Sequence, residues 1–367
     1  MFDKTKPNNT ISKLPKIDFD FNDIDLLKQL NKTNIEITKL NWIASRIPNQ
    51  DILLEFISIK EWVKSNEIEA IHTTVWEVFI SELIEDKSKI STEDKETINY
   101  KDAIYFWLKK IKKNWWLWYN DILEINKIIT WNNSWVITSP SKKISNSETK
   151  EILYTPPQWL ELIKSLLYNL EGYYNNFDEE SEIDPLLKLP ILHYQFEAIH
   201  PFWDWNWRTG RILMVLYFVL YEKLDLPILF LSDFINSHKK DYYLFLREID
   251  SWKEESIKGF TLWLLLWIEN QALQTQITIW KIANLMLELK TLLKIDKELK
   301  KIYKKELLDF LFISPFYSIS KIEKYLKIHR NTASSYLNLL EKKWILKSMK
   351  LKRNKIFYYE DFFELLK

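Results

Sequence analysis

Residues 200–211 read His-Pro-Phe-Trp-Asp-Trp-Asn-Trp-Arg-Thr-Gly-Arg and crowd a base, a carboxylate, an amide and two guanidiniums into one short segment. His200 is the group here whose ordinary pKa lies near neutrality, which makes it the natural general base. Asp204 is a hard oxygen ligand of the kind that holds Mg2+ already bound to substrate phosphates. Arg208 and Arg211 lie about one helical turn apart, a spacing that lets both guanidiniums reach phosphate oxygens. Small residues at 205 and 207 would turn the backbone N–H groups around Asn206 into an anion nest at a helix N-terminus. The combination describes nucleotidyl or phosphoryl transfer to a hydroxyl.

The conflict is at Trp205 and Trp207, because a nest that must approach an anion closely wants glycine. The whole chain shows the same exchange. It has 18 Trp and 3 Gly in 367 residues, where average usage of about 7% Gly would give roughly 26. Trp42, Trp115 and Trp207 each follow an Asn, where Asn-Gly turns are expected, and Trp344 stands where a helix ending at Lys343 asks for a left-handed residue. We read most of these tryptophans as UGA codons at which the source organism inserts glycine. UGG codons at 205 and 207 contradict that reading.

The elements that must position the segment are mostly helical. Apolar residues recur at helical spacing from Ile24 to Ile128, and further helices are expected over 159–175, 186–199, 209–223, 242–249 and 257–289. The His200 segment is then a loop between two helices. Around Trp135–Thr138 and Glu151–Tyr154 the pattern breaks into short β-like pieces, closed by Pro156-Pro157, which reads as a small hairpin. Residues 1–18 are polar, with Pro7, Asn8, Asn9 and Pro15, and read as a flexible arm. The fold class expected is mainly α, a helical bundle with a β-hairpin, followed by a C-terminal winged helix.

That C-terminal unit stands out by charge. Residues 301–367 hold 15 Lys/Arg against 7 Asp/Glu, or +8, in a chain whose net charge is +1. Their pattern runs helix, helix, helix, strand, strand, helix, the order of a winged helix, with Arg330-Asn-Thr-Ala-Ser-Ser335 opening the recognition helix. Arg330, Asn331, Thr332 and Ser334, with Lys352 and Arg353 in the wing, are the candidate DNA contacts. A scaffold role with a solvated basic face stands beside that reading. The chain has no Cys, no signal-like opening and no apolar run beyond Ile212–Tyr221, so a cytoplasmic protein with no membrane partner is expected.

Residues 200–211 resemble the signature of the Fic family, His-x-Phe-x-Asp/Glu-Gly-Asn-Gly-Arg-x-x-Arg. They match at His200, Phe202, Asp204, Asn206, Arg208 and Arg211, with Trp205 and Trp207 at the two glycine positions. The likeness extends over roughly residues 14–290. It implies a Fic-type helical bundle divided into an N-terminal helical region (19–100) and a catalytic core (101–295), ahead of the winged helix (301–367). It also implies an activity: transfer of AMP from ATP to a Ser, Thr or Tyr hydroxyl of a target protein. By the same resemblance His200 takes the hydroxyl proton and Asp204 holds Mg2+ against the α and β phosphates. Residues 205–207 line the nucleotide, with Asn206 on the α phosphate, and Arg208 and Arg211 bind the β and γ phosphates.

Two further features of the family have counterparts. Ser65 and Glu69 resemble its inhibitory helix, in which the glutamate pairs with the second arginine, here Arg211, while Ala70 departs from the family's Gly or Asn. The hairpin resembles the flap that aligns a target segment by strand addition. Lys142, Lys143 and Lys150 within it read as solvated. Three alternatives stay open: a de-AMPylase in which Glu69 orients a water, a DNA-binding regulator whose Fic domain is inactive, and, for assembly, a homodimer.

Overall fold

The computed structural model describes residues 4–15, 19–68, 74, 76–77, 79, 92–114, 116–130, 142–145, 150–175, 183–229, 231–351 and 354–365. The chain divides into two compact units. One comprises residues 1–38, 102–227 and 231–271, the other residues 39–101, 228–230 and 272–367.

The first unit is a helical bundle. Its elements are the N-terminal part of α1 (Ile24–Ala44), the C-terminal part of α3 (Thr92–Asn114), then α4 (Tyr119–Thr130), β1 (Ile144–Ser145), β2 (Ile152–Tyr154), α5 (Leu160–Tyr174), α6 (Pro185–Ile199), α7 (Asn206–Leu220), α8 (Ser232–Ser237), α9 (Lys239–Ile249) and the first half of α10 (Glu254–Ile295). Helices α6 and α7 form its centre. Nearly every residue of both is buried, which is why their sequences, PLLKLPILHYQFEAI and NWRTGRILMVLYFVL, are apolar all round rather than striped. Asp184 caps α6 by accepting from the Leu186 N–H at 2.9 Å, with Pro185 at the first helical position. Strand β1 pairs antiparallel with β2 in the small hairpin; the expected strand at 135–138 lies outside the described residues.

The N-terminal segment is not a free arm. Asn8 N–H donates to the Thr155 carbonyl at 2.9 Å, and Asn169 exchanges hydrogen bonds with both backbone groups of Leu14, at 2.7 and 2.8 Å. Gln195 Nε2 donates to the Ser12 carbonyl at 2.9 Å, and Asn8 and Leu14 are buried. A polar segment is held here by side-chain-to-backbone hydrogen bonds, which composition does not reveal.

The second unit gathers α2 (Asp51–Ile68), the second half of α10, and α11 (Lys305–Ile313), β3 (Phe316–Tyr317), α12 (Ile319–Leu326), α13 (Arg330–Lys342), β4 (Lys347–Leu351), β5 (Asn354–Tyr358) and α14 (Glu360–Glu364). The strands form an antiparallel sheet of order β3-β5-β4. Its core is aromatic: Trp76, Phe79, Phe316, Tyr358 and Phe363 pack ring against ring, and Phe56 of α2 meets Phe362 at 6.0 Å. Residues 39–101 therefore join the C-terminal segment in one unit, where the sequence suggests separate ones. No helix among the described residues is long and apolar enough to cross a membrane.

Candidate active site

His200 is the residue at which α6 stops. It adopts a left-handed conformation, φ 46°, ψ 57°, and its N–H closes the last turn on the Phe196 carbonyl at 3.0 Å. The loop then folds around buried Phe202. Asn206, the first residue of α7, accepts from the Phe202 N–H at 2.8 Å and donates to the Phe202 carbonyl at 2.7 Å. Both ends of the Asn206 side chain are thus occupied in closing the loop, and what it can offer an α phosphate is its backbone N–H. Trp205 caps α7 at φ 67°, ψ 19°, so the position asks for the conformation that glycine adopts without penalty.

Arg208 and Arg211 project from the first turns of α7 and are both buried, each 1% exposed. Their guanidiniums lie against indoles, Arg208 at 3.7 Å from the Trp205 ring centroid and Arg211 at 4.9 Å from that of Trp207. The indoles lie over the flat faces of the guanidiniums, whereas phosphate oxygens bind in the plane at the N–H edges. Asp204 is exposed at the loop tip; one carboxylate oxygen accepts from the Trp205 N–H at 2.8 Å, and the other makes no hydrogen bond among the described residues. A single open oxygen suits Mg2+ that keeps its phosphate and water ligands. Among the described residues no group of three or more His, Asp or Glu converges to cage a metal.

The His200 ring is held neutral. Burial pushes its pKa down to about 3, the Lys142 ammonium adds to the fall, and the Glu197 carbonyl opposes it. Lys142, which the sequence leaves in solvent, reaches the loop: it donates to the Trp203 carbonyl and lies 5.3 Å from the Trp203 ring. His193, one face up α6, is buried with Nε2 2.7 Å from the Tyr242 hydroxyl; burial and then the Arg211 charge bring it to about 3. Glu197 on the same face is pushed up to about 8 by burial, against the pull of Arg211.

Two supporting residues escaped the sequence reading. Asn126 of α4, buried beside Ile122, Ile125 and Ile129, donates to the Asp204 carbonyl at 3.2 Å and to Thr209 Oγ1 at 3.1 Å. Tyr154 of β2 donates to the Ala198 carbonyl at 2.8 Å, tying the hairpin to the end of α6. A lone Asn at a core-facing helical position was the available signal for the first. The second had none.

The three sequence matches fall on this architecture. The model of the Fic/DOC family matches residues 116–218, and that of the Fic/DOC family N-terminal region matches residues 27–107. The chain belongs to the Fic family. A third model, described as the C-terminal domain of SoFic-like protein adenylyltransferase, matches residues 287–362. In fold this Fic chain is similar to a Fic family protein from Desulfovibrio desulfuricans G20, at 17% identity and a TM-score of 0.52, covering 96% of this chain and 98% of that one. It is also similar to a Fic domain containing signaling protein from Bacteroides thetaiotaomicron VPI-5482, at 16% identity and a TM-score of 0.53, covering 68% and 95%.

The other expected positions are spread over the Fic chain. Ser65 is placed on α2 by its backbone, while Glu69 lies outside the described residues, as do Lys352 and Arg353. Arg330 and Asn331 open α13 exposed to solvent, and Thr332 and Ser334 are half-buried on the same turns. Several lysines of this unit are already paired: Lys343 with Asp296 and Glu298, both at 2.7 Å, Lys355 with Glu341 at 2.5 Å, and Lys347 with Glu360. Asp296 and Glu298 lie outside residues 301–367, so their pairing with Lys343 means that the +8 balance overstates the unpaired positive charge.

Proposed function

We propose that this Fic protein is a protein adenylyltransferase that moves AMP from ATP to a Ser, Thr or Tyr hydroxyl of a target protein. The observation that carries the reading is a neutral His200 beside two buried guanidiniums at the N-terminus of one helix. His200 removes the proton from the target hydroxyl, whose oxygen attacks the α phosphorus. The bond from that phosphorus to the bridging oxygen of the β phosphate breaks, and pyrophosphate leaves with its charge held by Arg208 and Arg211. Backbone N–H groups at the start of α7 receive the phosphates, which requires small residues at 205 and 207. Asp204 would hold Mg2+, whose bound charge offsets that of the leaving pyrophosphate.

Glu69 restrains the activity in this reading, with Ser65 four residues before it in the sequence. The test is incubation of the protein carrying Trp205→Gly and Trp207→Gly with α-labelled ATP, with and without Glu69→Gly. Stronger labelling of protein by the Glu69→Gly form supports restraint, and equal labelling contradicts it. Labelled AMP lost from a premodified target in the presence of Glu69 would favour the de-AMPylase instead.

A second role can accompany the first. The order α11, α12, α13 and a β4–β5 hairpin is that of a winged helix, and the exposed first turn of α13 with Arg330 and Asn331 favours duplex DNA as its partner. Binding that weakens with salt and disappears in Arg330→Ala supports it; no binding at low salt contradicts it.

A further inference from the structure

The last turn of α6 cannot satisfy its own carbonyls. The helix stops at Ile199 with His200 left-handed behind it, so carbonyls of that turn need donors from outside. A helix running on would supply them from residues 201 and 202. Pro201 has no N–H to give to Glu197, and the Phe202 N–H goes to the Asn206 side chain at 2.8 Å rather than to Ala198. The Ala198 carbonyl, two residues before the base, instead accepts from the Tyr154 hydroxyl of β2 at 2.8 Å.

That hydroxyl is itself oriented by the N-terminal strap. Asn8 Nδ2 donates to it at 3.3 Å, and a phenol carries one proton, which is thereby directed to Ala198. Asn8 is buried and held on its other sides: its Oδ1 accepts from the Thr10 hydroxyl at 2.9 Å, and its N–H donates to the Thr155 carbonyl at 2.9 Å. One turn back on α6, Gln195 Nε2 donates to the Ser12 carbonyl at 2.9 Å. The strap therefore grips β2 and the end of α6 together.

A second contact comes from the other side of the hairpin. Lys142, two residues before β1, donates to the Trp203 carbonyl. The hairpin consequently holds the chain at residue 198 and again at residue 203, on both sides of His200 in sequence. We propose that Tyr154, oriented by Asn8, is a positioning residue for His200: it stops the last turn of α6 from fraying and fixes where the base meets an incoming hydroxyl. Proton transfer needs that placement to within hydrogen-bond reach. This rests on the transfer reaction given under Proposed function. The groups assigned there to the nucleotide, Asp204, Arg208 and Arg211, lie on the loop and on α7, and the Asn206–Phe202 bonds that close this loop do not pass through Tyr154. Loss of the Tyr154 hydroxyl therefore slows transfer without weakening the hold on ATP.

Initial rates of protein labelling from α-labelled ATP, over a range of ATP concentrations, test this on the full chain carrying Trp205→Gly, Trp207→Gly and Glu69→Gly. Adding Tyr154→Phe is expected to lower kcat about 10- to 100-fold with KM for ATP unchanged. Asn8→Leu, which keeps the backbone bond to Thr155, is expected to lower kcat by a smaller factor and to add nothing in the Tyr154→Phe background. An unchanged kcat in Tyr154→Phe, a rise in KM that accounts for the loss, or losses that multiply in the double variant overturn the inference while leaving the transfer reading intact. A parent that labels protein from the γ position of ATP, or not at all, overturns that reading and this inference together. Should Tyr154→Phe fail to fold, the same split, kcat lowered at unchanged KM, is required of Asn8→Leu alone.

Discussion

Asn126 and Asp204, 78 residues apart, are joined by a hydrogen bond of 3.2 Å from the Asn126 amide to the Asp204 carbonyl, and the same amide reaches Thr209 Oγ1 at 3.1 Å. One buried side chain thus holds the loop tip and the first turn of α7 together. Thr209 Oγ1 donates in turn to the Trp205 carbonyl at 2.9 Å. Replacing Asn126 with Leu leaves the Thr209 hydroxyl without its donor and frees the loop. The expected cost is about 1–3 kcal/mol in urea unfolding, accompanied by a loss of nucleotide binding; a variant as stable and as competent as the parent contradicts the arrangement.

Trp344 offers a clean test of the tryptophan–glycine exchange. It is 91% exposed and held at φ 61°, so it buries almost nothing and adopts a conformation that costs a non-glycine residue about 1–2 kcal/mol. Trp344→Gly is expected to raise stability by about 1 kcal/mol, where substitution to glycine ordinarily lowers it. A lowered denaturant midpoint contradicts the expectation. Trp252 is likewise at positive φ, 53°, and Trp205 at 67°. Three tryptophans thus occupy left-handed positions while no described glycine does.

The histidines predict an acid instability. In His193 and His200 the folded value is near 3 against an ordinary 6.5, so between those values the unfolded chain binds protons that the folded chain excludes. Stability therefore rises with pH in that window, by up to about 1.4 kcal/mol per pH unit for fully buried His193 and less for half-buried His200. Glu197 acts in the opposite sense: its folded value is about 8 against an ordinary 4.5, and the stability it contributes is lost as pH rises through 8. The fall in stability is consequently steepest below pH 4.5, where the histidines act without that opposition. His193→Gln should flatten the slope measured by urea unfolding at pH 3.5 and 4.5, and an unchanged slope would count against the assignment.

Lys142 lowers the basicity of His200. In Lys142→Met the His200 pKa should rise, read from the ring resonances in an NMR titration. No movement places the ammonium away from the site. The loss of the Trp203 carbonyl contact predicts weaker nucleotide-dependent labelling as well.

Much of this site is legible in sequence because its chemistry is contiguous. Residues 200–211 carry the base, the carboxylate and both guanidiniums, and the apolar runs of α6 and α7 on either side announce a buried helix pair. The supporting contacts are not contiguous. Asn126 and Lys142 approach from other elements, and the Asn206 side chain turns inward to Phe202 because the loop must satisfy its own backbone. The N-terminal strap was hidden for a related reason: Asn8, Leu14 and Asn169 bind through hydrogen bonds between distant positions that leave no periodic trace. The grouping of residues 39–101 with the C-terminal segment depends on aromatic contacts such as Phe56 with Phe362, which no local pattern encodes.

The most direct test of the account is transfer from ATP labelled on the α phosphate, compared with ATP labelled on the γ phosphate, by the protein carrying Trp205→Gly, Trp207→Gly and Glu69→Gly. The account predicts protein labelled from the α position alone, and none from either position when His200→Ala is added. Labelling from the γ position, or α-labelling that survives His200→Ala, would contradict it.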